Sequence, residues 1–190
     1  GDVAGMGADL FESYVGSIIG AMVLALPWAS ATGSNAPVFL PLAIAAVGII
    51  ISIGCTFLVR VKEGGDPSAA LHRGTISSAV LTAIAAAGLV YWAIPSTVEL
   101  AGGTTYAWYG PAIAIAFGLF VGTMIGLVTE YYTSDHYSPV HEISEESQMG
   151  SAPNIIAGIS LGMWSAGIPV LLIVSAIGLS YWLSGLYGVG

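Results

Sequence analysis

Charge is scarce in this chain of 190 residues: Asp, Glu, Lys and Arg make up 7% of it, and Lys plus Arg number three. An ordinary soluble domain carries about 25% charged residues, so a water-facing globule is excluded. Three cations cannot form the clustered basic surface that neutralises phosphates, which removes nucleic acid from the candidate partners. Cysteine is rarer still. The lone Cys55 has no second thiol to pair with, so a disulfide framework is ruled out and plain packing is expected for it. An initiating Met, a basic leader and a small-residue cleavage site are also missing, and the expectation is an internal fragment of a longer protein.

What is abundant is apolar sequence, at 56% of residues. Uncharged runs cover 36–59, 74–98, 100–129 and 147–190, each longer than the roughly 20 residues that cross a hydrocarbon core. A further apolar segment at 9–28 precedes them. The expected fold is therefore all-α, a polytopic transmembrane helical bundle in which 1–190 is a single transmembrane region. Its helices are placed at about 5–28, 38–61, 75–96, 110–133 and 154–186. ASATGSNAP at 29–37 reads as a turn, KEGGDPSAALHRG at 62–74 as a polar loop with a short helical piece, and 134–152 as a second polar loop. The last helix is overlong, so it must tilt, project beyond the bilayer or kink at Gly167-Ile168-Pro169.

The three basic residues, Arg60, Lys62 and Arg73, flank one loop, and short loops rich in Lys and Arg stay on the cytoplasmic side. Counting crossings from there makes residues 1–4, 62–74 and 134–152 cytoplasmic and turns 29–37 and 97–109 outward. Trp28, Tyr91, Trp92, Tyr106, Trp108, Tyr109, Tyr181 and Trp182 collect near the outer ends, as interfacial aromatic belts do. Most of the acids behind the net charge of −8 fall in loops or at helix ends and read as a solvated face.

Asp2, Asp9 and Glu12 are different, because they lead into and enter the first apolar segment. An ionised carboxylate at the centre of a membrane helix costs about 2.5 to 3.5 kcal/mol on insertion scales. Such acids mark an ion path or a catalytic site. Asp2 and Asp9 lie nearly two helical turns apart, about 10.5 Å along the axis, so they share a face at different depths and cannot chelate one ion together. Asp9 is joined by Glu12 and Ser13 at three- and four-residue spacing. Two acids so close in a low dielectric require a shared proton, a bound cation or a Lys from another helix. Gly1, Gly5, Gly16 and Gly20 recur along the same segment, and close packing against neighbouring helices is expected for that stripe.

Two other patterns carry less. GDVAGMG lacks the GK[ST] ending of a phosphate loop, although phosphate can also be held through Mg2+ on carboxylates. His136, His141, Glu142 and Glu145 resemble a metal cluster, yet HEISE lacks the second His of HExxH and reads as solvated loop. His72 beside Arg73 is read the same way.

At GDVAGMGADLFESYVGSI the chain resembles the ion-translocating membrane pyrophosphatases. VKEGGDPSAALHRGT at 61–75 and TEYYTSDHYSPVHEISEESQMGSAPNIIAGISLGM at 129–163 resemble the same family, in the family's order. The resemblance implies a homodimeric, all-helical pump of the cell membrane that hydrolyses inorganic pyrophosphate with Mg2+ on the cytoplasmic side. It would move H+ or Na+ outward, with K+ or Na+ as further cation cofactors. This chain would be helices six to ten of about sixteen, with only the first in the inner ring, and alone it would be inactive.

By the same resemblance Asp2 is a catalytic acid that positions and deprotonates the attacking water and contributes to the Mg2+ site with acids elsewhere. Asp9, Glu12 and Ser13 form the ion gate. Gly16 stands where plant-like members carry their gate Glu, which implies the Glu12 subtype of sodium and proton pumps. Met149 replaces a usual Thr, and Pro153 takes an Ala or Thr position that a first helical turn tolerates. The competing reading is a cation-coupled secondary transporter or channel subunit without hydrolysis, in which the same acids bind a cation. A bare membrane scaffold would leave Asp9 unexplained.

Overall fold

A computed structural model describes residues 1–59, 67–100 and 103–190, with the side chains of Asp2 and of 67–69 outside that description. Arg60 and Lys62, which carry most of the topological signal, lie outside the described residues. The elements run α1 (Asp2–Leu24), α2 (Leu26–Thr32), α3 (Ala36–Thr56), α4 (Pro67–Ala93), β1 (Thr97–Glu99), β2 (Thr105–Ala107), α5 (Tyr109–Thr133), α6 (Ser138–Met149), α7 (Ser151–Ser184) and α8 (Leu186–Val189). Among the described residues, five helices are long and apolar enough to cross a membrane. In each, at most 17% of the most apolar window is buried within the chain. The apolar surface thus faces outward, as suits helices whose surroundings are lipid or further helices rather than water. The chain is an all-α multi-pass membrane protein.

Contacts divide the chain into two compact units, 1–117 with 178–190, and 118–177. In the first, α3 and α4 form an antiparallel pair brought close by small residues. The Ser52 and Ser78 hydroxyls stand 3.0 Å apart, and a Cβ on Gly48 would just touch Thr82. Ala25 is the joint between α1 and α2. Its N–H still reaches the Ala21 carbonyl at 3.0 Å and its carbonyl accepts from Ala29 at 3.0 Å, so the two helices form one nearly continuous rod. Pro27 sits in the first turn of α2, where a missing N–H costs nothing. Gly33, at φ +65°, ends α2 in the left-handed conformation that favours glycine.

The core of this unit gathers Ala25, Trp28, Leu40, Val90, Ile94, Val98 and Tyr187. Part of it comes from a feature absent from the sequence reading. Within 97–109, expected as loop, β1 and β2 pair antiparallel with Val98 opposite Tyr106, and Val98 is buried on the inner face. Two helical limits also differ from expectation. α3 ends at Thr56, and α4 begins at Pro67, so 67–74 extends the membrane helix instead of forming a separate piece. Pro67 supplies the preset φ for that start.

In the second unit, 134–152 is mostly helix. α6 begins with Pro139 buried in its first turn, and Ser138 Oγ donates to Glu142 Oε1 at 3.2 Å. Val140 and Ile143 give it a narrow apolar stripe. α7 is 34 residues long and passes through Pro169 as one helix, so its length is not relieved by a break at 167–169. Ser165, four residues before Pro169, loses its intrahelical donor there.

Candidate functional site

The candidate acids stand on α1, whose 23 residues reach about 34 Å. Asp2 lies in its first turn, with a side chain outside the description. Asp9 and Glu12 follow, about 4.5 Å apart along the axis, and both side chains are exposed, as is that of Ser13. A three-residue step keeps the two carboxylates on neighbouring sectors of one face. Ser13 is tied into the helix through its carbonyl, which accepts from Ser17 Oγ at 2.9 Å.

The glycine stripe was expected to press against neighbouring helices. Among the described residues it does not: a Cβ added at Gly1, Gly5, Gly16 or Gly20 would meet nothing within 4 Å. The small-residue face and the acids are open together. The exposed stripe leaves room for backbone to approach the carboxylates. One side contact ties down the middle of α1, where Tyr14 Oη donates to the Ala45 carbonyl of α3 at 3.3 Å.

No group of three His, Cys, Asp or Glu able to hold a metal ion exists among the described residues. Asp9 and Glu12 are therefore not joined to a third acid among the described residues. His136 lies 3.9 Å from Asp135 at an exposed position, and His141, Glu142 and Glu145 project from α6 rather than from a loop. In the same unit, α5, α6 and α7 enclose a cavity of about 630 Å3 whose walls include Tyr131, Tyr132, Glu142, Glu145, Glu146 and Trp164. It contains none of the expected site residues.

A second cluster, missed in the sequence, surrounds the far end of α1. Trp28 is 1% exposed. Its ring lies 5.8 Å from that of Tyr106 and 5.0 Å from that of Tyr187. Tyr187 Oη donates to the Pro37 carbonyl at 2.8 Å, across 150 residues of sequence. That acceptor exists for a covalent reason: Pro41, four residues on, has no N–H to offer it. Burial pushes the Tyr187 hydroxyl above its ordinary pKa, so it stays a neutral donor through the physiological range. The Pro-x-x-x-Pro spacing at 37–41 was the available signal for the orphaned carbonyl.

The family described as Inorganic H+ pyrophosphatase matches residues 1–190. A protein of Moorella thermoacetica named K+-insensitive pyrophosphate-energized proton pump 2 is 42% identical over 195 aligned positions, covering 100% of this chain and 27% of that protein. A protein of Bacteroides thetaiotaomicron, provisionally named a K+-stimulated pyrophosphate-energized sodium pump, is 41% identical over 99% of this chain and 27% of its own length. A similarly named protein of Clostridium tetani is 39% identical over 96% of this chain and 25% of its own length. The chain thus spans about a quarter of the relatives it matches. With all of its residues inside the family match, the chain belongs to the inorganic H+ pyrophosphatase family.

Proposed function

We propose that this chain is part of a pump that couples hydrolysis of inorganic pyrophosphate to movement of H+ or Na+ across a membrane, with α1 as its working helix. The observation that carries this is the face of α1, where Asp2, Asp9 and Glu12 descend from the helix start into a membrane-length segment. The family membership agrees with that reading.

Asp2 is the hydrolytic residue. At the mouth of the membrane helix a carboxylate can accept a hydrogen bond from water and take its proton as the oxygen attacks phosphorus, which is general-base catalysis. Asp9 and Glu12 lie about 10.5 and 15 Å further along the axis, too far to touch the same phosphate. They serve the ion instead: a proton or cation is held between two carboxylates and Ser13, which relieves their mutual repulsion.

Aspartate is a hard oxygen donor of the kind Mg2+ takes in ones and twos, with water and phosphate oxygens completing its shell. Asp2 would fit that role together with acids outside this chain. When bound, Mg2+ would offset the charge of pyrophosphate. The remaining span, 36–190, serves as supporting scaffold in the membrane, and the complete protein is a homodimer of the cell membrane. Residues 1–4, 62–74 and 134–152 face the cytoplasm.

The test is phosphate release from pyrophosphate by membranes carrying the complete protein, with Mg2+ and with or without Na+ and K+. Asp2→Asn is expected to abolish it. A normal rate from that variant would overturn the assignment. The cation series selects the ion, because identities of 39% and 42% to a sodium and a proton pump differ too little to do so.

A further inference from the structure

We propose that Trp28, Tyr106 and Tyr187 are positioning residues for ion transfer: an aromatic clasp at the far end of α1 that fixes the depth and rotation at which Asp9 and Glu12 are presented. The proposal rests on the pump reading above.

Helix α1 is held unevenly. Its side chains from Val3 to Tyr14 are exposed, and the first buried positions are Ala21 and Ala25. Beyond them, Trp28 is enclosed between the rings of Tyr106 and Tyr187. The backbone after α8 returns onto α1 so closely that a Cβ on Gly190 would meet Ala21 Cα at 2.9 Å. Gly185, at φ +62°, makes the turn that aims Tyr187 inward, and a side chain there would meet Tyr106 Oη at 3.1 Å. The hydroxyl of Tyr187 then closes on the Pro37 carbonyl that Pro41 leaves unpaired.

Hydrogen bonds through Ala25 make α1 and α2 one rod, so orientation set at Trp28, together with the Tyr14 Oη bond to the Ala45 carbonyl, is carried to the acids. Glu12 lies 16 residues from Trp28, about 24 Å along that rod. A tilt of about 10° at the clasp would move Glu12 sideways by about 4 Å. Proton or cation transfer between these acids and groups on neighbouring helices requires heavy atoms within roughly 2.6 to 3.2 Å. A shift of that size would therefore break the relay, and Asp2, 26 residues from Trp28 on the same rod, would move by about 7 Å, so hydrolysis would fall as well.

Trp28 Nε1 has no hydrogen-bond partner among the described residues. The ring is held by packing, which makes Trp28→Phe a conservative replacement and Trp28→Leu a disruptive one. The experiment uses the complete protein in sealed vesicles, measuring ion transport and phosphate release on the same sample. Trp28→Leu is expected to lower phosphate release and, at least threefold, the ions moved per pyrophosphate, with Trp28→Phe restoring most of both. Should Trp28→Leu not assemble, Tyr187→Phe, which removes only the hydroxyl, carries the same expectation. A wild-type ratio in the assembled variants, even with lowered thermal stability, would reduce the clasp to a structural brace and overturn the proposal. Absence of hydrolysis by the wild-type protein is a separate result that refutes the pump reading and the clasp's role with it.

Discussion

Asp9 and Glu12 are separable by substitution because each can be made neutral without changing its shape. Asp9→Asn cannot release or accept the transferred proton or bind a cation through charge, and is expected to lower ion transport per pyrophosphate by about tenfold or more. Transport and hydrolysis measured together in vesicles check this, and a wild-type ratio would remove Asp9 from the gate. These acids were legible in the sequence because charge in an apolar run is conspicuous. Pro37 and Pro41 were equally visible, but their consequence was not. The donor that answers the freed carbonyl is Tyr187, 150 residues away, and no local pattern relates the two.

At the scale of elements, composition determines the membrane helices directly: an apolar run of sufficient length in lipid must satisfy its backbone internally and becomes helix. The smaller elements depend on contacts. The β1–β2 hairpin is six paired residues, too short to stand alone in water, and persists through burial of Val98 beside Trp28 and Ile94. α6 was masked by its polarity, since Glu145, Glu146 and Gln148 suggest loop to a hydropathy reading while being good helix formers. Helix α5 starts beside the last residues of α7, at Gly110, where a Cβ would collide with the Leu183 carbonyl and Ser184 Oγ. Gly110→Val is therefore expected to cost about 1 to 3 kcal/mol through overpacking. The check is a lower temperature of thermal inactivation in the complete protein, and an unchanged temperature would contradict this close approach.

For the whole molecule, the side of the membrane on which each segment lies follows from parity. In the proposed topology, with helices crossing in turn, α5 alone separates the hairpin from α6 in the chain, so the two are expected on opposite sides of the membrane. The absolute direction in that proposal rests on Arg60, Lys62 and Arg73. Cys55 is 4% exposed, so its thiol would be a poor target, and Cys55→Ser together with replacement of any cysteine elsewhere in the complete protein gives a cysteine-free background. On that background, Thr104→Cys and Ser144→Cys place single thiols at exposed positions in the hairpin turn and on α6. In sealed right-side-out vesicles an impermeant maleimide is expected to label Thr104→Cys at once and Ser144→Cys only after permeabilisation. The inverse pattern would keep the crossing count but put Asp2 on the outside, away from cytoplasmic pyrophosphate. Labelling of both from one side would mean that α5 does not cross, and the order of helices behind the whole assignment would fail.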